Sequence, residues 1–285
     1  MDLTLRPGTP QDVQECGRIC YEAFHDVATQ HGFPSDFTGV EEGVAVCGAL
    51  ISHPGFYSVV AESDGRILGS NFLDERSTIA GVGPITVDPE VQNGGVGRAL
   101  MLDVMERARD PGFVGTRLLQ SGYHNRSLSL YAKLGFDPRD TLAAMQGPPL
   151  GEVIPGFEVR LTAEDDVEGC NAVCHRVHGH DRGGELSDAI ARKTAKVVER
   201  DGRITGYTTG IAFLGHSVGE SNEDLQALIA SAEQFTGPGF LVPIRNAELF
   251  RWCLERGLRV VQLMTLMSVG FYQEPTAPWM PSVLY

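Results

Sequence analysis

Three glycines within four positions, Gly94, Gly95 and Gly97, separate a strand-like segment from a helix-like one in the stretch ITVDPEVQNGGVGRALM, residues 85–101. Glycine has no Cβ, so a backbone built from it lets another molecule approach closely. The N-terminus of a following helix would add unpaired N–H groups and a partial positive charge, a combination suited to phosphate groups. The segment is therefore predicted to bind a pyrophosphate.

Two common phosphate-binding motifs do not fit this loop. The spacing is not G-x-G-x-x-G and no acidic partner for a ribose is evident, which disfavours a dinucleotide-binding fold. No Lys-Ser/Thr pair follows the glycines, which removes the P-loop. Taken alone, the loop could also be a glycine-rich turn without a ligand.

The residues around the glycines predict the elements that position them. GPITVDP, residues 83–89, is rich in β-branched residues and ends at a proline, as expected of a strand that leads into a turn. GRALMLDVMERARD, residues 97–110, has the apolar spacing of an amphipathic helix. The apolar residues of that helix are Leu100, Met101, Val104, Met105 and Ala108.

A second motif follows about thirty residues after the glycines. QNGGVG (92–97) fits the pattern Q-x-x-G-x-G, and HNRSLSLYAKLGF (124–136) places Asn125 six residues before Tyr131 in an L-Y-x-K-x-G-F segment. Together these motifs resemble the GNAT superfamily of acyl-CoA-dependent N-acyltransferases, closely over residues 60–147 and less closely over 1–59. The resemblance implies an α/β (α+β) fold, a mixed and mostly antiparallel sheet flanked by helices, with acetyl-CoA as cofactor and coenzyme A as product.

The resemblance also implies roles for individual residues. Loop amides would bind the pyrophosphate, the preceding strand would pair with the pantetheine arm, and Asn125 would contact that arm. The residues expected to bind the cofactor are Ile85, Thr86, Val87, Gln92, Asn93, Gly94, Gly95, Val96, Gly97, Arg98 and Asn125.

Aminolysis of a thioester needs a neutral amine, donors for the developing oxyanion and a proton for the departing thiolate. Tyr131 matches the family's usual general acid, and a phenol can supply that proton. Because Leu128, Tyr131 and Leu134 share one helix face, a tyrosine that only packs is the alternative. Four groups are candidate general bases: Asp74, Glu75, His124 and the α-carboxylate of Tyr285.

The chain repeats one pattern twice, in the same order. The matching segments are 5–20 with 159–174, 61–69 with 198–206, and 130–136 with 252–258. Between the copies, MQGPPLGEVIPGF (145–157) contains prolines and glycines that interrupt regular structure. We therefore expect a catalytic acyl-CoA-binding domain at 1–147, a linker at 148–157 and a degenerate GNAT-like domain at 158–285.

The second copy is expected to bind no acyl-CoA and to shape the acceptor site or stabilise the pair. Residues 210–235 contain no Q-x-x-G-x-G, and Glu220, Glu223 and Asp224 would repel a pyrophosphate at the corresponding turn. Cys253 stands where the first copy has Tyr131.

Two further segments carry residues that could take part in chemistry. Cys170, Cys174, His178 and His180 could bind zinc, but Cys16 and Cys20 occupy the matching places of the first copy, which favours core packing. No metal is therefore expected. The loop HGFPSDF, residues 31–37, is predicted to cover the acceptor pocket or to be a plain connector.

Composition narrows the class of protein. The 285 residues carry a formal net charge of −14, which argues against nucleic-acid binding and is compatible with a cationic or amine substrate. Neither a signal peptide nor an apolar run of about 20 residues is present, so we expect a cytoplasmic protein that does not enter the membrane. Six cysteines without a dense framework indicate reduced thiols.

These observations predict an N-acetyltransferase that acts on a primary amine, a small molecule, by direct attack on acetyl-CoA. An acyl-CoA-binding sensor or scaffold without turnover is the alternative from another class. The sequence leaves open whether a longer acyl chain is used.

Overall fold

The computed structural model of the chain describes residues 2–285, and the two repeats share most of their order of elements, although the second has one strand fewer before its third helix and one additional strand at its end. The first repeat contains β1 (Thr4–Pro7), α1 (Val13–His31), α2 (Val40–Ser52), β2 (Phe56–Ser63), β3 (Arg66–Asp74), β4 (Ile79–Val82), β5 (Thr86–Val87), α3 (Val96–Arg107), β6 (Gly115–Ser121), α4 (Asn125–Lys133) and β7 (Asp137–Gln146). The second repeat contains β8 (Glu158–Leu161), α5 (Val167–His178), α6 (Gly183–Ala191), β9 (Lys196–Arg200), β10 (Arg203–Thr208), β11 (Ser217–Gly219), α7 (Asn222–Ala230), β12 (Phe240–Pro243), α8 (Ala247–Glu255), β13 (Arg259–Gly270) and β14 (Trp279–Met280). Within residues 2–285, no helix combines the length and apolarity needed to cross a membrane. The mixed α/β fold with mostly antiparallel sheets confirms the predicted class.

The repeats share an ion-pair network as well as their elements. Arg6 at the first strand contacts Asp12 and Glu62, each at 2.8 Å, and so joins β1, the start of α1 and β2. The second repeat holds the same network in Arg160, Asp166 and Glu199. Equivalent charges therefore anchor the first helix of each repeat to its sheet.

The larger sheet crosses the boundary between the repeats. Its strand order is β1-β2-β3-β4-β6-β13-β7-β12, and within residues 2–285 β5 pairs with β3 alone. Strand β13 of the second repeat lies between β6 and β7 of the first, and β7 lies between β13 and β12 of the second. Each repeat thus inserts its last long strand into the other, so residues 148–157 separate the repeats along the chain but not in the sheet.

The smaller sheet belongs to the second repeat and has the order β14-β11-β10-β9-β8. Strand β14, from the C-terminal segment, pairs antiparallel with β11 through Trp279 opposite Val218 and Met280 opposite Ser217. Strand β11 corresponds to β5 of the first repeat, since each pairs with its neighbour at matching glycines, Gly206 and Gly69. In the second repeat, β14 therefore covers the edge of β11 that is equivalent to the unpaired edge of β5.

The helix cysteines pack in the core. Cys16, Cys20, Cys170 and Cys174 are all fully buried, and burial raises the pKa of Cys16 and of Cys170 to about 12. Among residues 2–285, no group of three or more His, Cys, Asp or Glu side chains is arranged to hold a metal ion. The cysteines at these matched positions act as small apolar side chains.

Candidate active site

A cavity of about 1070 Å³ lies where two neighbouring strands of the large sheet separate. Strand β4 runs parallel to β6 at Ile79–Gly81, whereas β5, four residues after β4, pairs only with β3. Gly83 and Pro84 make the turn between β4 and β5, and both line the cavity. The unpaired edge of β5 therefore faces an open space between the strands.

The glycine loop forms one wall of this cavity. Gly95 has φ +90°, a left-handed conformation that favours glycine, and it caps the N-terminus of α3 with open space where a Cβ would stand. No acidic residue lies in the first turn of α3. The first turn of α3 thus lines the cavity without a carboxylate of its own.

Most of the predicted cofactor-binding residues are brought together here. Those that line the cavity are Ile85, Thr86, Val87, Gln92, Asn93, Gly95, Val96, Gly97 and Arg98. Gly94 lies in the loop without lining the cavity, and Asn125 is an exposed residue at the start of α4 that also does not line it.

Cationic side chains on α3 and α4 surround the loop. Arg98, Arg126 and Lys133 all line the cavity. Arg126 donates hydrogen bonds to Oδ1 of Asn93 at 3.2 Å and to the side-chain oxygen of Gln92. Sequence reasoning missed Arg126, although it follows Asn125 directly in the motif.

Tyr131 faces the same cavity from α4. Its side chain is 6% exposed and lines the cavity wall. Burial raises the pKa of Tyr131 to about 12, although a hydrogen bond with Ser127 acts in the opposite direction. The hydroxyl of Ser127 also lies 2.6 Å from Nδ1 of His124. The phenol therefore keeps its proton at neutral pH, as a general acid requires.

The two strand carboxylates proposed as bases lie outside the cavity wall. Asp74 forms an ion pair with Arg76 at 2.6 Å, and Glu75 forms one with Arg107 at 2.7 Å. Neither carboxylate lines the cavity. Each is engaged by an arginine instead of facing the reacting space.

The other two proposed bases differ in placement. The ring of Tyr285 is buried against the guanidinium of Arg117, 4.2 Å from the ring centre, and Tyr285 does not line the cavity. His124 does line it. Burial, together with nearby Arg126 and His31, lowers the pKa of His124 to about 4, so the imidazole is neutral at physiological pH.

Two polar residues that sequence reasoning did not single out also line the cavity. Asp36 belongs to the loop 31–37 that was predicted to cover the acceptor pocket, and its Oδ1 accepts a hydrogen bond from Nε2 of Gln262 at 2.8 Å. Burial raises the pKa of Asp36 to about 6. Gln120 on β6 is 5% exposed, and within residues 2–285 neither its Nε2 nor its Oε1 has a hydrogen-bond partner. Asp36 could have been found from the sequence by its position in the loop 31–37, which was predicted to cover the acceptor pocket.

The corresponding region of the second repeat differs from the first at the N-terminus of its helix. Ser221 caps α7, and its backbone N–H and hydroxyl both donate to Oδ2 of Asp224 at 2.8 and 3.0 Å, so the N-terminus of α7 is satisfied internally. Asp224, which was expected to repel a pyrophosphate at this turn, is a buried residue whose carboxylate takes part in the cap. The cavity beside Asn222 measures about 290 Å³. Cys253, which stands opposite Tyr131 in the repeat, is fully buried.

Comparison with known proteins matches the first repeat. Residues 54–138 match the family model described as acetyltransferase (GNAT) domain. A mycothiol acetyltransferase of Thermomonospora curvata is 33% identical over 91 residues, which cover 32% of this chain and 31% of that protein. The match thus spans about a third of the length of that curated relative.

Solved structures share the fold over nearly the whole chain. A candidate acetyltransferase from Pyrococcus horikoshii superposes with a TM-score of 0.77 at 16% identity, covering 99% of this chain and 94% of that one. A tandem GNAT protein from the clavulanic acid biosynthesis pathway gives 0.58 at 15% identity, covering 94% of this chain and 98% of that one. Because the sequence identity is this low, the similarity to these two structures shows the fold alone.

Proposed function

We propose that this chain, which carries an acetyltransferase domain of the GNAT family over residues 54–138, transfers an acetyl group from acetyl-CoA to a primary amine of a small molecule by direct attack. One observation carries the proposal. The glycine loop before α3, the unpaired edge of β5 and the protonated Tyr131 all face one cavity of about 1070 Å³.

The residues present fit acetyl-CoA. The open space beside Gly95 and the cations Arg98, Arg126 and Lys133 suit a diphosphate, and the unpaired edge of β5 suits an amide-containing arm. When bound, acetyl-CoA supplies an acyl group activated as a thioester.

The chain's own groups supply the proton chemistry. Tyr131 holds a proton at neutral pH inside the cavity wall, where it can be given to the departing sulfur. Ser127 stands between Tyr131 and His124 and forms a polar path by which the phenol can regain a proton. His124, neutral at physiological pH, can pass that proton without first losing one.

The second repeat is proposed to bind no acyl-CoA and to complete the acceptor side. In the second repeat, β14 covers the edge of β11 that corresponds to the unpaired edge of β5, and Asp224 satisfies the N-terminus of α7. Its residues 212–214 and 236–238 line the cavity of the first repeat. Calorimetry with coenzyme A should give one site per chain, and two sites would refute this assignment.

Thiol release tests the proposed reaction. The protein and acetyl-CoA are incubated with polyamines, amino acids, aminoglycosides and aralkylamines, and free coenzyme A is measured with a thiol reagent. Release that depends on one class of amine, with the acetylated amine found by mass spectrometry, supports the proposal. Tight coenzyme A binding without thiol release from any amine would instead identify a non-catalytic acyl-CoA-binding protein.

A further inference from the structure

The cavity carries charges of opposite sign on different elements. Its cations, Arg98, Arg126 and Lys133, lie on α3 and α4 around the glycine loop. Its carboxylates, Asp36 and Glu42, lie in the loop after α1 and at the start of α2. A diphosphate suits the first group, so the second group is left to face the other substrate.

Asp36 is held in place without being neutralised. Gln262, from β13 of the second repeat, is 2% exposed and donates to one carboxylate oxygen at 2.8 Å. Within residues 2–285 Asp36 forms no ion pair, and its second oxygen accepts no hydrogen bond from the protein. The titratable neighbours that sense its charge are Tyr123, before α4, and Cys20 on α1. A half-buried carboxylate with no cationic partner is costly unless a ligand supplies the cation.

The loop that carries Asp36 is also fixed by aromatic packing. Phe33 stacks on Tyr123 with ring centres 4.3 Å apart, and Phe37 meets Phe24 edge-on at 5.6 Å. The loop that carries the carboxylate is therefore anchored on both sides of Asp36, and the contact between Phe37 and Phe24 is part of the cavity wall. Such anchoring keeps a reacting group in place before the substrate binds.

The walls of the cavity are mostly apolar. Apolar residues that the two repeats contribute include Phe24, Phe37, Val46, Phe213, Leu214 and Val283. The buried Gln120 adds a carboxamide with no protein partner, which independently indicates that a polar ligand atom belongs in this cavity.

We propose that Asp36 binds the acceptor as an ammonium ion and takes its proton, and that the acceptor is a primary amine on an apolar body. This proposal rests on the proposed acetyl transfer and names the substrate class and the base of that reaction.

The proton count balances with two groups. One proton of the ammonium passes to Asp36 and from there to solvent, which leaves a neutral amine. The amine nitrogen forms the C–N bond as the C–S bond breaks, and Tyr131 gives its proton to the sulfur. The second proton lost by nitrogen returns to the phenolate. Burial raises the pKa of Asp36 to about 6, whereas burial lowers that of His124 to about 4, so Asp36 holds a proton more tightly than His124 does.

The test compares two variants that each remove one negative charge. Asp36→Asn keeps the shape and the hydrogen bond to Gln262 while removing the base. Asp64→Asn is the control, because Asp64 is exposed in the turn between β2 and β3, does not line the cavity and has a left-handed conformation that asparagine tolerates. The probes are 2-phenylethylamine and its neutral analogue 2-phenylethanol.

We expect Asp36→Asn to lower kcat/KM for 2-phenylethylamine at least about 100-fold while the KM for acetyl-CoA stays within about twofold. In calorimetry with coenzyme A present, the same variant should lose binding of the amine, and 2-phenylethanol should bind neither protein. The acid limb of the wild-type pH profile near pH 6 should disappear in the variant. Asp64→Asn should match the wild type throughout.

Each other outcome has a defined meaning. Retention of the wild-type kcat/KM and amine affinity in Asp36→Asn would overturn the role of Asp36. Equal binding of the amine and the alcohol, or turnover of spermidine but not of 2-phenylethylamine, would overturn the substrate class. If no amine releases thiol, acetyl transfer fails, and the calorimetric comparison still decides whether Asp36 binds an ammonium ion.

Discussion

Substituting glutamate for Gly95 should remove acyl-CoA binding while the protein stays folded. Gly95 has φ +90°, and a residue with a Cβ pays about 1–2 kcal/mol to adopt a left-handed conformation. No atom lies within 4 Å of the position that a Cβ would take, so backbone strain is the whole structural cost. A loss of this size leaves most domains folded, because their total stability is roughly 5–15 kcal/mol.

The effect on binding follows from electrostatics. A carboxylate about 5 Å from a phosphate charge, at an effective dielectric constant of about 20, is repelled by roughly 3 kcal/mol. That energy corresponds to a Kd raised by more than about 100-fold. The new side chain also fills the open space beside the loop, which adds to the loss.

The matched control is Gly65→Glu. Gly65 has φ +74°, likewise has no atom within 4 Å of the place where a Cβ would stand, and lies in the turn between β2 and β3, outside the cavity. Both variants carry the same added charge and a similar strain, so their melting temperatures should fall by similar amounts. Calorimetry with coenzyme A should show weak or no binding to Gly95→Glu and wild-type binding to Gly65→Glu. Equal affinities in the two variants would refute the assignment of the diphosphate to the front of α3.

Three further changes probe the site. Tyr131→Phe should lower kcat about 100-fold or more with little change in the KM for acetyl-CoA, and an unchanged kcat in steady-state assays would exclude the phenol as the acid. Burial raises the pKa of Asp36 from 3.8 to about 6, so the folded state binds this proton more tightly than the unfolded state, and the stability contribution is lost as pH rises from about 4 through 6. Asp36→Asn should therefore unfold at the same denaturant concentration as the wild type near pH 4 but be more stable at pH 7.5, by at most about 3 kcal/mol; equal stability at both pH values would contradict the buried carboxylate. Gln120→Met should raise the melting temperature, because it removes two buried polar atoms without partners, and leaving a buried polar group unsatisfied costs about 1–3 kcal/mol. The same substitution should weaken acceptor binding. A lower melting temperature would show that Gln120 has a structural partner.

Local features were predictable because their signals are contained in short segments. The strand, the loop at Gly95 and the helix after it follow from residues within about 20 positions of one another, and the structure places them around one cavity. Tyr131 was predicted from a motif on the next helix and lies in the same wall. The repeat also identified the buried cysteines, since matching positions in two copies share a physical role.

Long-range contacts were beyond the sequence pattern. Asp36 is positioned by Gln262, 226 residues away along the chain, and nothing near either residue specifies that contact. The insertion of β13 between β6 and β7 depends on pairing edges that a hydrophobic pattern does not encode, because any apolar strand could fill them. The cover that β14 provides for β11 has the same origin, since WMPSVLY gives no indication of its partner.

The insertion of β7 and β13 into each other's repeat determines how the protein should respond to proteolysis between the repeats. Both neighbours of β7 come from residues after 230, so a fragment ending at residue 147 would carry this strand with neither of its hydrogen-bonding partners. A protease cut within 148–157 should leave two pieces that elute together in gel filtration and separate only in urea. Because each repeat supplies a strand to the other, neither repeat expressed alone should form its complete sheet.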